Sequence, residues 1–565
     1  MIKQISGSQM ISEALHEEGV EIVFGYPGGA ALNIYDETYK QTYFKHVLVR
    51  HEQAAVHAAD GYARVSGKVG VAFVTSGPGF TNAVTGLATA YSDSIPVVLI
   101  SGQVPTFMIG TDAFQEIDAV GISRPCVKHN FLVNSVEELP RIIKEAFYIA
   151  RSGRPGPVHI DIPKNVTSRL GDFVYPKEIS IPSYKPTYKG NSKQIKKAAA
   201  AINEAKRPLL YIGGGAVASN ASEIIRKFMK KTGIPAVETL MALGVLDAKD
   251  KLNLGMAGMH GSYASNMALS ECDLLISLGA RFCDRVTGKT DEFAKHAKII
   301  HIDIDPSSIS KIINAHYPIV GDLTNVLSEL YEEVKGEPKN YAPWREILDR
   351  YQKLNPLGYT DSDKVLKPQW VVEETAKIVG PEAIIATDVG QHQMWVAQFY
   401  PFNRPRQLVT SGGLGTMGYG LPAAIGAKCA KPEHLVVNFT GDGSILMNIQ
   451  ELMTAYETNV PIINIILNNN FLGMVRQWQT FFYEKRYSST DLSLQPDFVK
   501  IAEGFGGVGF VCKSKDEFKK ALKEAIKSKK SALIDVRIDR FEDVLPMVPA
   551  GAAIYNMILK SKEEK

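Results

Sequence analysis

Several classes of protein are set aside by what this chain lacks. Its five cysteines, at 126, 272, 283, 429 and 512, include no Cys-x-x-Cys pair, which suits a reducing compartment rather than a disulfide framework. No apolar run approaches the roughly 18 residues of a membrane span, and the N-terminus lacks the charged-then-apolar order of a secretory signal. A membrane partner is therefore not expected, and the simplest location is cytoplasmic. The formal net charge is only +3, too small to argue for nucleic acid. Histidine is scarce around the motifs of the last third, so proton donors are few there. A zinc helix is also excluded, because His51 and His57 flank Glu52 at a spacing of six and diverge, whereas metal-binding histidines on a helix stand four apart.

What is present points to a large α/β protein. At 565 residues the chain exceeds one domain and predicts about three or four. Hydrophobic residues make up 45% of it and glycine occupies 47 positions, which fits many strand-to-helix turns. Apolar runs alternate with helical stretches, and this predicts three domains, each with a central, mostly parallel sheet flanked by helices. The first block, 1–185, carries the runs 69–75 and 96–101 and closes on 157–163. A linker rich in proline, lysine and tyrosine, 176–193, leads into a central block, 186–345; the polar stretch 335–343 precedes the third, 346–545. Residues 546–565 read as a C-terminal tail, with Lys560, Lys562 and Lys565 on a solvated segment. Blocks one and three share a similar order of elements.

The third block holds the clearest chemistry. The apolar run 435–440 ends in Gly441-Asp442-Gly443-Ser444, which reads as a parallel strand, a tight turn and a helix through 447–451. Glycines at 441 and 443 let backbone approach a phosphate. Magnesium takes near-octahedral oxygen ligands from one or two side chains plus phosphate and water, and Asp442 at a strand end can supply one. The next run, 461–467, is apolar throughout and delivers Asn468-Asn469-Asn470 at its C-terminal edge. Neighbouring parallel strands would set Asp442 beside an asparagine, at the edge where open α/β sheets bind ligands. Gly-Asp-Gly alone is more often an ordinary turn; followed by a helix, a buried strand and three asparagines it is far more specific.

In the first block Glu52 follows Arg50-His51. A glutamate at a helix start usually lies on a solvated face. Here Ala54, Ala55, Val56, Ala58 and Ala59 leave little polar surface around it, which predicts a partly buried carboxyl. In the central block, 208–218 fits a strand, a Gly-x-Gly-x-x-Ala turn and a helix, with Glu238 about twenty residues on, as in a dinucleotide fingerprint. The runs 273–279 and 298–305 add an acidic strand end that could meet a ribose.

Taken together, Glu52, Gly441-Asp442-Gly443 and Asn468-Asn469-Asn470 resemble the thiamine-diphosphate enzymes and, within them, the acetohydroxyacid synthase (acetolactate synthase) large catalytic subunits. The likeness runs from Gly25-Tyr26-Pro27-Gly28-Gly29-Ala30 to Pro546-Met547-Val548-Pro549. It implies that family's fold: an N-terminal pyrimidine-binding domain, a central FAD-binding domain and a diphosphate- and Mg2+-binding domain, with the site formed between two subunits. It implies that Asp442, Asn469 and the main-chain carbonyl of Phe471 hold magnesium. Glu52 would bond the cofactor's pyrimidine ring, and the cofactor would do the chemistry. Gly29 and Gln115 carry over as catalytic. Gly441, Gly443, Ser444, Met447, Met474 and Met417 would contact thiamine diphosphate, Met417 as an apolar wedge beneath it. Pro105, Phe114 and Lys164 would line the approach channel.

FAD falls by the same likeness to Arg154, Met259, His260, Gly261, Arg281 and Asp303, as a structural flavin without net redox. Trp478 and Arg285 would bind the second 2-oxo acid, the arginine because its guanidinium fork matches a carboxylate. The family more often has aspartate where Cys283 stands. The implied activity is decarboxylation of pyruvate and transfer of the remaining two-carbon unit to a second pyruvate or to 2-oxobutanoate. A homodimer or homotetramer is implied, with a small regulatory subunit as a candidate partner. A catabolic acetolactate synthase without flavin, a pyruvate oxidase with a redox flavin, and a non-catalytic flavin-binding scaffold remain as alternatives.

Overall fold

The computed structural model describes residues 3–335 and 341–561. Three six-stranded parallel sheets organise the chain, with a two-stranded antiparallel pair, Lys3–Ser6 and Leu170–Phe173, tying the ends of the first unit together. From edge to edge the first sheet runs Lys45–Leu48, Ile22–Gly25, Gly70–Val74, Val97–Gln103, Val158–Pro163, His129–Leu132. The third runs Leu408–Val409, Ile384–Thr387, Val436–Thr440, Ile463–Asn468, Ala532–Arg537, Val508–Cys512. Numbered by chain order within each sheet, both read 2-1-3-4-6-5. The central sheet, Asn253–Met256, Ala236–Glu238, Pro208–Ile212, Leu274–Leu278, Lys298–Asp303, Tyr317–Val320, reads 3-2-1-4-5-6. The inner strands are buried at every position, Gly70–Val74, Val97–Gln103, Val436–Thr440 and Ile463–Asn468 among them, because helices cover both faces of a parallel sheet.

In each sheet the first strand is flanked on opposite sides by later ones, so a crevice opens at the carboxyl ends where the winding reverses. It lies beyond Gly25 and Val74 in the first sheet, beyond Ile212 and Leu278 in the central one, and beyond Thr387 and Thr440 in the third.

Units one and three are joined within the chain where the helix Glu52–Ser66 crosses the helix Gly420–Ala430 at backbone distance. A Cβ on Gly61 would stand 2.1 Å from the Ala423 carbonyl oxygen, and one on Gly426 1.8 Å from that of Ala58, so the crossing requires glycine at both points. A buried ionic cluster closes one end of it. Arg64 pairs with Asp60 at 2.6 Å and with Asp93 at 2.7 Å, Tyr419 donates to Asp60 at 2.5 Å, and Asp93 accepts from the N–H groups of Gly412 and Gly413 at 3.0 and 2.7 Å.

Two sequence expectations are corrected here. The helix Ala342–Leu354 straddles the boundary expected at 345/346 and packs on the central core. Its Trp344 is buried and donates Nε1–H to Pro208 O at 3.2 Å, which settles an indole that needs both an apolar bed and an acceptor. The tail expected over 546–565 is solvated only at its end. Val548 and Ile554 are buried in the same central core, and Met547 pairs with Ile558 in an antiparallel bridge. Lys560 is exposed, whereas Lys562 and Lys565, like residues 336–340 of the polar stretch before the third block, lie outside the described residues. Among the described residues no helix is long and apolar enough to cross a membrane.

Candidate active site

The edge of the third sheet is built by register. Thr440 lies opposite Ile466 in the parallel pairing, and continuing that register sets Asp442 beside Asn468, with Asn469 next along the same edge. Asp442 and Asn469 are both buried. Burial pushes the Asp442 carboxyl up to about 7, since a charge out of water is disfavoured unless something compensates it. The Gln495 amide donates to Asp442 Oδ2 and accepts from Asn468 Nδ2 at 2.8 Å. Asn469 turns its amide nitrogen to Gln391 Oε1 at 3.0 Å and accepts from Phe471 N at 3.1 Å. Gln391 in turn donates to Gln477 Oε1 at 2.8 Å. Asn470 has a φ of 59°, a left-handed conformation that asparagine tolerates, and it turns Phe471 into a bridge with Asp491.

The helix expected through 447–451 is interrupted. A 3-10 turn spans Ile445–Met447, Asn448 leaves helical geometry to donate to Gly418 O at 2.7 Å, and the helix proper begins at Glu451. Met447 is consequently 54% exposed, while Ser444 is buried and donates to Val389 O at 3.1 Å. A Cβ on Gly441 would stand 3.0 Å from the His392 ring, and one on Gly443 2.8 Å from Leu472. His392 corrects the expectation that histidine is scarce here. It is buried, its pKa is lowered to about 3 by that burial, and its Nε2 has no hydrogen-bond partner. Gln391, His392 and Gln495 were missed in the sequence; the first two directly follow the strand Ile384–Thr387 and its turn, a placement at the crevice that could have marked them. Met417 is half-buried in a turn whose Gly415 and Gly418 have φ of 71° and 85° and whose Gly418 N–H donates to Asp388 at 2.8 Å. Met474 packs against the third core from the helix Gly473–Phe482.

At the first sheet, Glu52 is the first residue of its helix, behind the cap His51, whose Nδ1 accepts from Gln53 N at 3.2 Å. The residue is half-buried, and Oε2 accepts from the exposed Asn82 Nδ2 at 2.9 Å. Gln115 has a φ of 61°, and its main chain would meet a Cβ on Gly77 at 2.8 Å. The turn that starts the Asn82 helix and the loop bearing Gln115 are therefore packed together. Nothing lies within 4 Å of a Cβ built on Gly29, Phe114 is 88% exposed, and Pro105 precedes a short 3-10 turn on the same loop. Lys164 opens a helix directly after Val158–Pro163. Glu52, Gly29, Phe114, Gln115 and Lys164 thus leave the carboxyl ends of four strands of one sheet. Within one chain Glu52 bonds to Asn82 and Asp442 to Gln495, so the two carboxylates belong to separate clusters.

At the central sheet the glycine turn locks two loops together: a Cβ on Gly213 would stand 2.3 Å from Ala280 Cα, and one on Gly215 2.8 Å from Gly279 Cα. The ribose role expected of Glu238 is overturned. Its carboxylate is buried and spent inward, accepting from Leu246 N at 3.0 Å and Asn253 Nδ2 at 2.9 Å. Asp303, at the end of its strand, is lifted to about 6 by burial, and the guanidinium groups of Arg154 and Arg281 pull against that rise. Arg154 reaches over from the first unit, bonding Ser94 Oγ at 2.8 Å and Asp305 at 3.3 Å.

Met259 N donates to Arg285 O at 2.7 Å and Met259 O accepts from Val548 N at 2.8 Å; beside it His260 is buried, with Nδ1 3.3 Å from Pro546 O, and Gly261 packs at backbone distance on Ala257. Arg285 is exposed, with Cys283 capping its short helix. Gln477 reaches the same strap, Nε2 lying 3.4 Å from Met547 Sδ, so residues 546–548 connect the Arg285 rim to the Trp478 helix. Trp478 lies on a helix, although the polar Arg476 and Gln477 beside it read by themselves as an exposed loop. It is half-buried on the helix Gly473–Phe482, edge-on to Phe482 at 5.6 Å, because Arg476 and Gln477 point inward to Asp543 at 2.7 Å and Val544 O at 3.0 Å.

Three family models match the chain in succession: the thiamine pyrophosphate enzyme N-terminal TPP binding domain over 5–122, the central domain over 195–330 and the C-terminal TPP binding domain over 388–536. The acetolactate synthase large subunit of Haemophilus influenzae is 48% identical over 571 aligned residues, covering 100% of both chains. The acetolactate synthase isozyme 3 large subunit of Escherichia coli is 46% identical over 573, again covering 100% of both. The probable acetolactate synthase large subunit of Methanocaldococcus jannaschii is 49% identical over 564, covering 98% of this chain and 95% of its own. With three domain matches in order and relatives this similar along their full length, the chain belongs to the acetolactate synthase large-subunit family of thiamine pyrophosphate enzymes.

Proposed function

We propose that the chain decarboxylates pyruvate and joins the two-carbon remainder to a second 2-oxo acid. Pyruvate as acceptor gives 2-acetolactate, and 2-oxobutanoate gives 2-aceto-2-hydroxybutanoate, the first common step towards valine, leucine and isoleucine. The observation that carries the reading is the placement of Glu52 and of the Asp442–Asn469 pair at the carboxyl-end crevices of two sheets with the same strand order.

Thiamine diphosphate, when bound, supplies a carbon nucleophile that adds to a ketone and accommodates the electron pair left by departing carbon dioxide. The residues present fit it. Gly441 and Gly443 let the turn close against the His392 ring and Leu472 with main chain bare of side chains, and the buried His392 Nε2 has no protein partner. Asp442 is a buried carboxyl that a cation would compensate. Among the described residues no three His, Cys, Asp or Glu converge, which suits a hard cation held by Asp442, Asn469, the Phe471 carbonyl and phosphate rather than a zinc cage. Glu52, oriented by Asn82, would share a proton with the pyrimidine ring at its carboxylate oxygen, while Met417 and Met447 offer apolar bulk from the neighbouring turns.

FAD would take the central crevice, since sheets of order 3-2-1-4-5-6 bind dinucleotides at the switch point; Asp303, ending the next strand along under the pull of the Arg154 and Arg281 guanidinium charges, and Met259, His260 and Gly261 would contact it. Arg285 and Trp478 would select the acceptor. The domain roles follow: pyrimidine binding over 1–185, FAD over 186–345 with the helix Ala342–Leu354 added, and diphosphate with magnesium over the remainder to 545. Because Glu52 and Asp442 form separate clusters in one chain, the site would be completed by a second copy, the Glu52 edge of one facing the Asp442 edge of the other, as a homodimer or a dimer of dimers in the cytoplasm. A small regulatory subunit is the further partner that the names of the relatives support.

Glu52→Gln, purified and assayed with thiamine diphosphate, magnesium and pyruvate, should form acetolactate about a hundredfold more slowly or worse; full retention would overturn the reading. A yellow flavin band that survives purification, and is not bleached during anaerobic turnover, separates this synthase from both the flavin-free catabolic enzyme and a pyruvate oxidase.

A further inference from the structure

Glu52 is the first residue of its helix, so its direction is set by how residues 48–51 enter that helix. The entry is gripped from the third unit of the same chain. Glu451, fully buried at the start of the helix Glu451–Glu457, accepts the Arg50 main-chain N–H with both carboxylate oxygens, at 3.0 and 3.2 Å. Its Oε2 also accepts from Thr454 Oγ1 at 2.6 Å. Thr454 Oγ1 lies 3.3 Å from Leu48 O, and the Arg50 guanidinium meets Glu457 at 2.5 Å. Burial pushes the Glu451 carboxyl up to about 7, while Thr454 and the main-chain N–H groups of Arg50 and His51 pull it down.

A buried carboxyl is expensive unless its acceptors are used. Here they are used on Arg50, two residues before Glu52. We propose that Glu451 is a positioning residue for Glu52: by holding the Arg50 N–H it fixes how the chain enters the helix and so aims the Glu52 carboxylate. Asn82 steadies the same carboxylate from the other side, at its oxygen rather than through its backbone. The proposal rests on the reading that Glu52 engages the pyrimidine ring. Glutamine at 451 leaves one acceptor oxygen in place of the two that share the Arg50 N–H and sets a donating NH2 among the donors of Arg50 and Thr454, and a shift of order 1 Å in a reacting group costs on the order of a hundredfold in rate.

The test compares the holoenzymes Glu451→Gln, Glu52→Gln and the double variant. It reads kcat and KM for pyruvate, thermal midpoint, and thiamine diphosphate affinity by quenching of tryptophan fluorescence. Glu451→Gln should lower kcat about tenfold or more, leave the pyruvate KM within about twofold, and weaken cofactor binding in the same direction as Glu52→Gln. If Glu451 acts through Glu52, the double variant falls no further than Glu52→Gln alone in either kcat or cofactor affinity. A Glu451→Gln enzyme with unchanged kcat and affinity, or a double variant whose loss is the product of the two singles, overturns the proposal. Should Glu451→Gln fail to fold, Thr454→Val removes one donor to the same carboxylate; the same non-additive pattern with Glu52→Gln supports the proposal and a multiplicative one sinks it. A fully active Glu52→Gln would instead sink the underlying reading, so the two failures are distinguishable.

Discussion

The Asn82 amide donates to Glu52 Oε2 at 2.9 Å from the second turn of the helix Pro78–Asp93, which follows the strand Gly70–Val74, separated by Ile22–Gly25 from the strand Lys45–Leu48 that delivers Glu52. The glutamate is thereby oriented by a neighbour that neither carries charge nor titrates. Asn82→Ala should lower kcat by about tenfold at saturating cofactor, in line with about 1.5–3 kcal/mol for a hydrogen bond to a charged group, while the pyruvate KM stays within about twofold. Steady-state acetolactate formation measures it. An unchanged kcat would mean that this bond does not orient the carboxylate in the working enzyme.

The crossing of the helices Glu52–Ser66 and Gly420–Ala430 should be intolerant of a single methyl. A Cβ on Gly426 would stand 1.8 Å from the Ala58 carbonyl oxygen, and backbone on both sides cannot yield as a side chain would. Gly426→Ala is expected to destabilise by about 1–3 kcal/mol and to lower the thermal midpoint by several degrees. Gly504→Ala is the control, because nothing lies within 4 Å of its Cβ; it should stay within about 0.5 kcal/mol of the parent.

Gln391 links the Asp442–Asn469 edge, proposed to hold magnesium, to the Trp478 helix, accepting from Asn469 Nδ2 at 3.0 Å and donating to Gln477 Oε1 at 2.8 Å. Partners of metal ligands typically cost about 10–100-fold in metal affinity when removed. Gln391→Leu should therefore raise the half-saturating magnesium concentration by about tenfold or more, with most of kcat recovered at high magnesium. Titration of magnesium into chelator-stripped protein reads both quantities. An unshifted titration would detach Asn469 from the metal.

Much of this architecture is written locally. The strands Val436–Thr440, Val158–Pro163 and Leu274–Leu278 are apolar runs because both faces of each sheet are covered, and Glu52, Asp442 and Asn469 stand where short-range patterns place strand ends. What escapes is whatever depends on distant chain. Gln495 reaches Asp442 across 53 residues, and nothing beside it marks it. Arg476 and Gln477 look like surface residues until Asp543 and Val544, 67 residues later, bury them, so the sequence around Trp478 does not show the helix face it occupies. Glu238 keeps the spacing of a ribose-binding acid but spends its charge on Leu246 N and Asn253. Spacing along the chain does not report which way a strand-end side chain turns.

His159 gives a pH dependence with a definite sign. It is fully buried and stacked on Phe80 with ring centroids 4.6 Å apart. Its Nε2 lies 2.7 Å from Ser101 Oγ, which donates to Asp161 at 2.6 Å, and its Nδ1 lies 3.0 Å from Ser123 Oγ. Burial lowers its pKa to about 3, which keeps the ring neutral near pH 7. Unfolded histidine titrates near about 6.5, so the unfolded chain binds the extra proton first as pH falls. The stability contributed by keeping His159 neutral is full above about 6.5 and is lost as pH drops towards 3, by up to about 1.4 kcal/mol per pH unit. Asp161, lifted to about 7 by its own burial, works in the opposite sense: its share is full below about 4 and lost as pH rises through 7. The parent profile therefore mixes the two, and His159→Gln separates them. The variant should melt lower than the parent at pH 7.5, and the gap should narrow steadily towards pH 5. A gap that stays constant over that range would mean that the native ring takes up a proton as readily as the unfolded one, and the neutral assignment would fall.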